Sequence, residues 1–179
     1  MATAADHILL LGVGNILLGD EGVGVWAIKA LEERYLLPAG VAALDGGTAG
    51  MDLLASLEGI EQLIIVDAVK ADGPAGRLIR WQDEQVPACL VSKISPHQLG
   101  LSDLLAAASL TIGLPRRLTL LGIVPEQIAT GIGLSDAARS GMEAAIAAIA
   151  AELRNQGREL LARKQPGPLS PLLAAASLL

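Results

Sequence analysis

The chain has 179 residues, which is enough for one ordinary domain with a sizeable buried core. Thirteen basic and nineteen acidic side chains leave a formal charge of −6, and no basic cluster could neutralise a phosphate backbone. We therefore expect no nucleic-acid partner. The first residues lack the pattern of a secretory signal, and no apolar run approaches the roughly 18 residues of a membrane span. These features predict a cytoplasmic protein without membrane insertion.

Short apolar runs indicate a buried parallel sheet. Strands covered on both faces are expected at residues 8–12, 41–45, 63–67 and 118–124. The segment 76–81 alternates enough to form an additional strand, which could be antiparallel. Because helical patterns separate these runs, the sequence predicts a three-layer α/β/α fold. Its core would be a twisted, mainly parallel central sheet of about five strands flanked by helices.

The predicted helices follow from apolar spacing along the chain. They cover residues 23–35, residues 50–58, a segment beginning near His97, and residues 136–156. Ser140 and Glu143 have the spacing of a capping box, while Ser135 is an equally good start for the last helix. Gly157 could end that helix.

The C-terminal segment differs in composition from the rest of the chain. Residues 164–179 contain three prolines before an apolar end, which predicts a poorly ordered tail, with a docking segment as the alternative. Residues 1–163 would then form a single α/β domain. No internal repeat is present.

Acidic residues follow three of the predicted strands, at the sheet edge where open α/β folds bind ligands. Asp20 and Glu21 follow the first strand, Asp45 begins the stretch DGGTAGMD after the second, and Asp67 ends the third. Asp20 and Glu21 each have an ordinary alternative role, because a carboxylate in the first turn of a helix complements its dipole. Asp67 lacks that explanation, since an acid ending an apolar strand is costly without an opposite charge or a metal.

His97 is the second unusual residue and lies in the stretch ISPHQLGL. A structural role is equally compatible with its position at a predicted helix start. The other histidine, His7, lies in the leading polar segment and is expected to be solvated. Together, Glu21, Asp67 and His97 would supply two oxygen ligands and one nitrogen ligand to a divalent ion such as zinc or nickel.

A nucleotide-binding oxidoreductase is a weaker hypothesis. The stretch after the first strand starts like a dinucleotide fingerprint, with Gly12 and Gly14. However, Leu17 stands where the third glycine is required, and two acids occupy the place of the pyrophosphate. Cys89 lacks a nearby activating base, so we expect a small buried packing residue there rather than a nucleophile.

Several longer motifs resemble, in the same order, those of the maturation endopeptidases of [NiFe] hydrogenases. They are GVGNILLGDEGVGVWAIKALEERY, LDGGTAGMDLL, LIIVDAV, DEQVP, KISPHQLGLSDLL and LTLLGIVPE. The similarity extends over about residues 7–155. It implies an endopeptidase that removes the C-terminal extension of the hydrogenase large-subunit precursor once nickel has been inserted. The precursor would be its partner, and the family's fold agrees with the one predicted above.

The resemblance also implies roles for individual residues. The family's metal-contacting Glu, Asp and His match Glu21, Asp67 and His97, which we therefore expect to be catalytic. The family's DGGT segment, implicated in substrate or nickel recognition, matches Asp45, Gly46, Gly47 and Thr48. Asp20 is expected to cap or orient the helix.

The expected metal is the nickel of the substrate precursor, so that nickel loading would license cleavage. Zinc or cadmium could occupy the same place in the isolated protein. Three alternatives stay open: a resident zinc, a metal-free pair of acids of the aspartic type, and a metal-dependent binding module or chaperone that does not cut. We expect a monomer.

Overall fold

A computed structural model describes residues 7–91 and 96–164, with the backbone alone for residues 91 and 96–99. The strands are β1 (Ile8–Val13), β2 (Tyr35–Leu36), β3 (Val41–Gly47), β4 (Gln62–Ala68), β5 (Leu78–Gln82), β6 (Arg117–Ile123) and β7 (Leu161–Ala162). The helices are α1 (Val23–Arg34), α2 (Gln85–Val91), α3 (Pro96–Thr111) and α4 (Asp136–Asn155). Two 3-10 segments, Asp20–Gly22 and Gly50–Leu57, complete the architecture. All but the first residue of the predicted tail lies outside the described residues.

The central sheet has five strands in the order β3-β1-β4-β6-β5. The first four strands are parallel, and β5 pairs antiparallel with β6 at one edge. The prediction of a mainly parallel α/β/α fold is confirmed, including the additional strand, which is antiparallel. A separate ribbon joins β2 to β7.

Alternating side chains of the central strands point to opposite faces of the sheet and belong to two separate apolar cores. One face carries Ile8, Leu10 and Ile64 and packs against α1 and α4. The other face carries Leu9, Leu11 and Ile65 and packs against the second 3-10 segment, α2 and α3. Every residue of β1 and β4 is buried, because helices cover the sheet on both sides. Cys89 packs against the second core, and its thiol donates a hydrogen bond to Val86 O at 3.1 Å.

The helices differ from the predicted ones in two places, and the structure decides between the two predicted starts of the last helix. Gly50–Leu57 is a 3-10 helix rather than an α-helix, and it buries Leu53 and Leu57. The sequence did not indicate α2, because Pro87 argues against a helix, yet proline is tolerated in a first turn. Ser135 caps α4 through a hydrogen bond from Ala138 N, so the alternative start at Ser140 is wrong. Among the described helices, none has the length and hydropathy needed to cross a membrane.

An ion pair connects the two helices on one face of the sheet. Arg34 of α1 donates two hydrogen bonds to Glu143 of α4, at 2.7 and 2.8 Å. The hydrogen bond from Arg34 lowers the pKa of Glu143, against partial burial, which raises it. Because the folded-state pKa is depressed, the pair stabilises the fold above the ordinary glutamate pKa. That contribution is lost as the pH falls through the folded-state pKa.

Replacing Glu143 with Gln should lower the free energy of unfolding at pH 7 by only about 0.5 kcal/mol, since both side chains are nearly half exposed and solvent screens the pair. The difference from the unaltered protein should shrink as the pH falls below about 4. Urea unfolding at several pH values measures it, with Glu58→Gln on an exposed residue as the control. A difference that persists undiminished at low pH would contradict this assignment.

Candidate active site

The strand order creates a crevice between β1 and β4. From β1 the chain passes through α1 on one face of the sheet to reach β3. From β3 it crosses back to β4 through the 3-10 helix on the opposite face, and α2 and α3 then lie on that face as well. Connections that leave neighbouring strands toward opposite faces open a cleft at the carboxyl edge, and ligands of open α/β sheets bind there.

Gly24 packs the beginning of α1 directly against the ends of two strands. A Cβ atom on this residue would lie 2.1 Å from Val66 O and 2.4 Å from Val13 O, so only glycine fits. Val66 immediately precedes Asp67, and Glu21 lies one turn before Gly24. The 3-10 turn Asp20–Gly22 also contacts β4. The backbone segments that carry the two predicted acids therefore meet at the crevice.

Both of these acids are buried. Asp67 is 0% exposed at the end of the central strand β4, and Glu21 is 5% exposed. Removing a carboxylate from water is costly unless hydrogen bonds or a cation compensate for it. Oxygen ligands of this kind suit a divalent ion, so the donor set fits the predicted metal by type.

The third predicted ligand is placed only by its backbone. The side chain of His97 is not among those described, but its residue belongs to the first turn of α3. Gly100, one turn later, packs on Gly50, since a Cβ atom there would lie 3.3 Å from Gly50 Cα. Gly50 follows β3 at the carboxyl edge, so α3 begins at this edge of the sheet. Among the described side chains, no group of three or more His, Cys, Asp or Glu could hold a metal.

Asp20 has a different environment from its neighbour Glu21. Its Oδ2 atom accepts hydrogen bonds from Glu126 N at 2.9 Å, Gln127 N at 3.3 Å and Ser135 Oγ at 2.8 Å. Its Oδ1 atom accepts from Ser135 N at 2.7 Å. Asp20 therefore fixes the loop before α4 rather than capping its own helix, and both oxygens are committed to the protein. We refer to these four hydrogen bonds as the Asp20 clamp.

The DGGT segment forms one wall of the cleft at this edge. Asp45 is bound by Lys29 Nζ at 2.9 Å, and its Oδ1 accepts a hydrogen bond from Gly47 N at 3.1 Å. Gly47 O in turn accepts from Gly14 N at 2.9 Å. The resulting cleft of about 280 Å³ is lined by Gly14, Asn15, Ile16, Leu17, Val25, Asp45, Gly47 and Thr48.

Sequence reasoning missed two residues that shape this site. A lysine in an amphipathic helix is expected to face solvent, yet the side chain of Lys29 is only 17% exposed and pairs with Asp45. Ser135 was recognised as a helix start but not as a partner of Asp20. In both cases the partner lies elsewhere in the chain, and no periodic pattern relates the two. The exposed His7 fits its predicted solvated position.

Comparison with known proteins identifies the family. A sequence model described as hydrogenase maturation protease matches residues 25–152. The chain is 48% identical over 160 residues to the hydrogenase 2 maturation protease of Escherichia coli K12, which covers 88% of this chain and 97% of that protein. The chain belongs to the hydrogenase maturation protease family. Membership implies a hydrolase of the endopeptidase type.

Other hydrogenase maturation proteins agree in sequence and in fold. The chain is 41% identical over 157 residues to hydrogenase expression/formation protein HupD of Rhodobacter capsulatus, covering 87% of this chain and 75% of HupD. The hydrogenase maturating endopeptidase HybD from E. coli superposes with a TM-score of 0.83 at 47% identity, covering 88% of this chain and 98% of HybD. The [NiFe] hydrogenase maturation protease HybD from Thermococcus kodakarensis gives 0.69 at 31% identity, covering 82% and 98%.

Replacing Asp20 with Ala should destabilise the fold by about 2–4 kcal/mol, because the change leaves several donors of the Asp20 clamp without their acceptor. Thermal unfolding measures the loss, and amide hydrogen exchange should rise at Glu126, Gln127 and Ser135. The matched control is Asp136→Ala, an exposed acid in the first turn of α4, which should cost only a few tenths of a kcal/mol. Equal stability losses in the two variants would refute the structural role of Asp20.

Proposed function

We propose that this hydrogenase maturation protease removes the C-terminal extension from the nickel-loaded precursor of a [NiFe] hydrogenase large subunit. The observation that supports the proposal is that the backbone segments carrying two buried acids, Glu21 and Asp67, meet at the crevice of the sheet. They come from segments 46 residues apart in the chain, and the backbone contact at Gly24 joins those segments. A cytoplasmic location and a monomeric state stay predictions.

In this proposal the metal is part of the substrate. Glu21 and Asp67 would engage the precursor's nickel through carboxylate oxygens, and His97 would add a nitrogen donor from the beginning of α3. Three such ligands leave coordination positions open for groups of the precursor. When bound, a divalent ion polarises a carbonyl and makes water acidic enough to attack at neutral pH. An empty precursor would lack this activation, so cleavage would report nickel loading.

The burial of the two acids supports a requirement for a cation. Carboxylate oxygens are ligands for divalent ions, and their attraction to a cation is stronger in a buried place than in water. Two buried acids on adjoining segments would therefore favour a bound cation. A cation delivered with the precursor would bind there and bring the scissile bond with it.

The DGGT segment would recognise the precursor through its loop rather than through the Asp45 carboxylate. That carboxylate is already held by Lys29 and by Gly47 N, so it shapes the loop. Thr48, together with the backbone around Gly47, lines the cleft and is available to a ligand. Asp45 and Lys29 would thus set the width of the cleft through which the precursor reaches the two acids.

The central test compares two precursors that differ only in nickel. Purified protein is incubated with nickel-loaded and nickel-free precursor, and intact mass is recorded over time. We expect the loaded precursor alone to lose its C-terminal extension. Equal cleavage of both would favour a metal-free acid pair. Tight binding of the loaded precursor without any cleavage would instead favour a binding module or chaperone.

Variants of the proposed ligands should lose activity without unfolding. Glu21→Gln, Asp67→Asn and His97→Ala should each lower kcat/KM on loaded precursor by roughly 100-fold or more. The two amide variants should keep the fold, since an amide preserves the shape of the buried acid. The control is Asp136→Asn, which should process at the normal rate. Full activity in all three variants would refute the site assignment.

A further inference from the structure

Three large apolar side chains lie exposed beside the cleft. Leu17 is 54% exposed, Ile128 is 52% exposed and Ile132 is 40% exposed. We call these three side chains the apolar rim. Single exposed hydrophobic residues are ordinary on protein surfaces, but a cluster at a binding edge indicates an interaction site. Leu17 lies in the loop after β1, and the two isoleucines lie in the loop before α4. The arrangement of these two loops decides whether the three residues form such a cluster.

The backbones of those loops are bonded to each other. Gly19 N donates to Gly131 O at 2.9 Å, and Gly131 N donates to Leu17 O at 2.9 Å. A further bridge pairs Gly19 with Ile128. The three side chains of the apolar rim are therefore held as neighbours, although Leu17 lies more than 100 residues before the two isoleucines in the chain.

The Asp20 clamp holds the second of these loops in place. A buried carboxylate with four hydrogen bonds fixes the backbone on either side of residues 128–134. The fold therefore gives this loop a defined position while leaving its two isoleucines half exposed. Half-exposed isoleucines contribute little to folding, so the fixed position is better explained by binding.

The apolar rim is continuous with the cleft. Leu17 belongs to both, because it also lines the space beside Thr48 and Gly47. On either side of Ile132 the backbone is open, since a Cβ atom on Gly131 or Gly133 would meet no atom within 4 Å. Residues 128–134 include no charged side chain. An extended chain could thus lie against the loop on its way to the two acids.

We propose that the apolar rim binds apolar side chains of the precursor segment that flanks the scissile bond. This inference rests on the function proposed above, since that function requires a polypeptide to cross this edge. A charged segment would lose hydration on an uncharged surface, whereas an apolar segment gains free energy there. A second copy of this chain is a poorer occupant, because three half-exposed side chains provide far less than the roughly 800 Å² per partner of a stable interface.

The test uses the triple variant Leu17→Ser, Ile128→Ser, Ile132→Ser and nickel-loaded precursor as substrate. KM should rise by roughly 10- to 100-fold, since the apolar contacts are lost, while kcat stays within about twofold. The matched control is Leu110→Ser, Ile112→Ser, Leu114→Ser, which alters three exposed apolar residues at the opposite edge of the sheet. That control should leave both constants unchanged.

A second arm changes the substrate. Replacing the apolar residues beside the cleavage point of the precursor with Ser should raise KM for the unaltered protein. The same replacement should raise KM little further for the rim variant, because both changes remove the same contact.

An unchanged KM in the rim variant overturns this inference, as does an equal effect of the control variant. Loss of a dimer in sedimentation with an unchanged KM also overturns it and assigns the surface to a second copy. If the unaltered protein does not cleave loaded precursor, the proposed function fails and this inference fails with it.

Discussion

The close approach of two backbones at Gly24 is the constraint on which the candidate site depends. The start of α1 fits between the ends of β1 and β4 only because no side chain separates it from Val66 O and Val13 O. That contact sets the position of the preceding turn, which carries Glu21, relative to the end of β4, which carries Asp67. A side chain at position 24 would push the segment that carries Glu21 away from the end of β4. The packing of α1 on the sheet therefore also determines how close the segments that carry the two acids lie.

The acids at this edge have different roles. Asp20 is held by four protein donors and organises the loop before α4. Glu21 and Asp67 are buried on the segments that meet at the crevice. Asp45 is a third case, since its ion pair with Lys29 shapes the loop that forms a cleft wall. Asp20 and Asp45 thus have structural roles, which their hydrogen-bond and ion-pair partners define. The Asp20 clamp also fixes the loop that carries two residues of the apolar rim, so a structural acid would support the recognition proposed for that surface.

Most of the fold could be predicted from the sequence because buried strands are continuous apolar runs and α1 and α4 repeat at helical spacing. The same reasoning placed Glu21 and Asp67 at one edge, since parallel strands share a carboxyl end. It could not find α2, in which Pro87 obscures the helical signal, or the two-residue strands β2 and β7. It also could not assign Asp20, whose partners lie more than 100 residues further along, or pair Lys29 with Asp45. Long-range polar contacts leave no period in a sequence.

The central claim is that Glu21 and Asp67 converge on one divalent cation. Anomalous diffraction from crystals of the protein grown with zinc tests it most directly, because zinc accepts the same oxygen and nitrogen donors. The account predicts an anomalous peak in the crevice between β1 and β4, about 2.0–2.2 Å from a carboxylate oxygen of each residue. A bound zinc that contacts neither carboxylate, or a structure in which the two groups face different sides of the sheet, would contradict it.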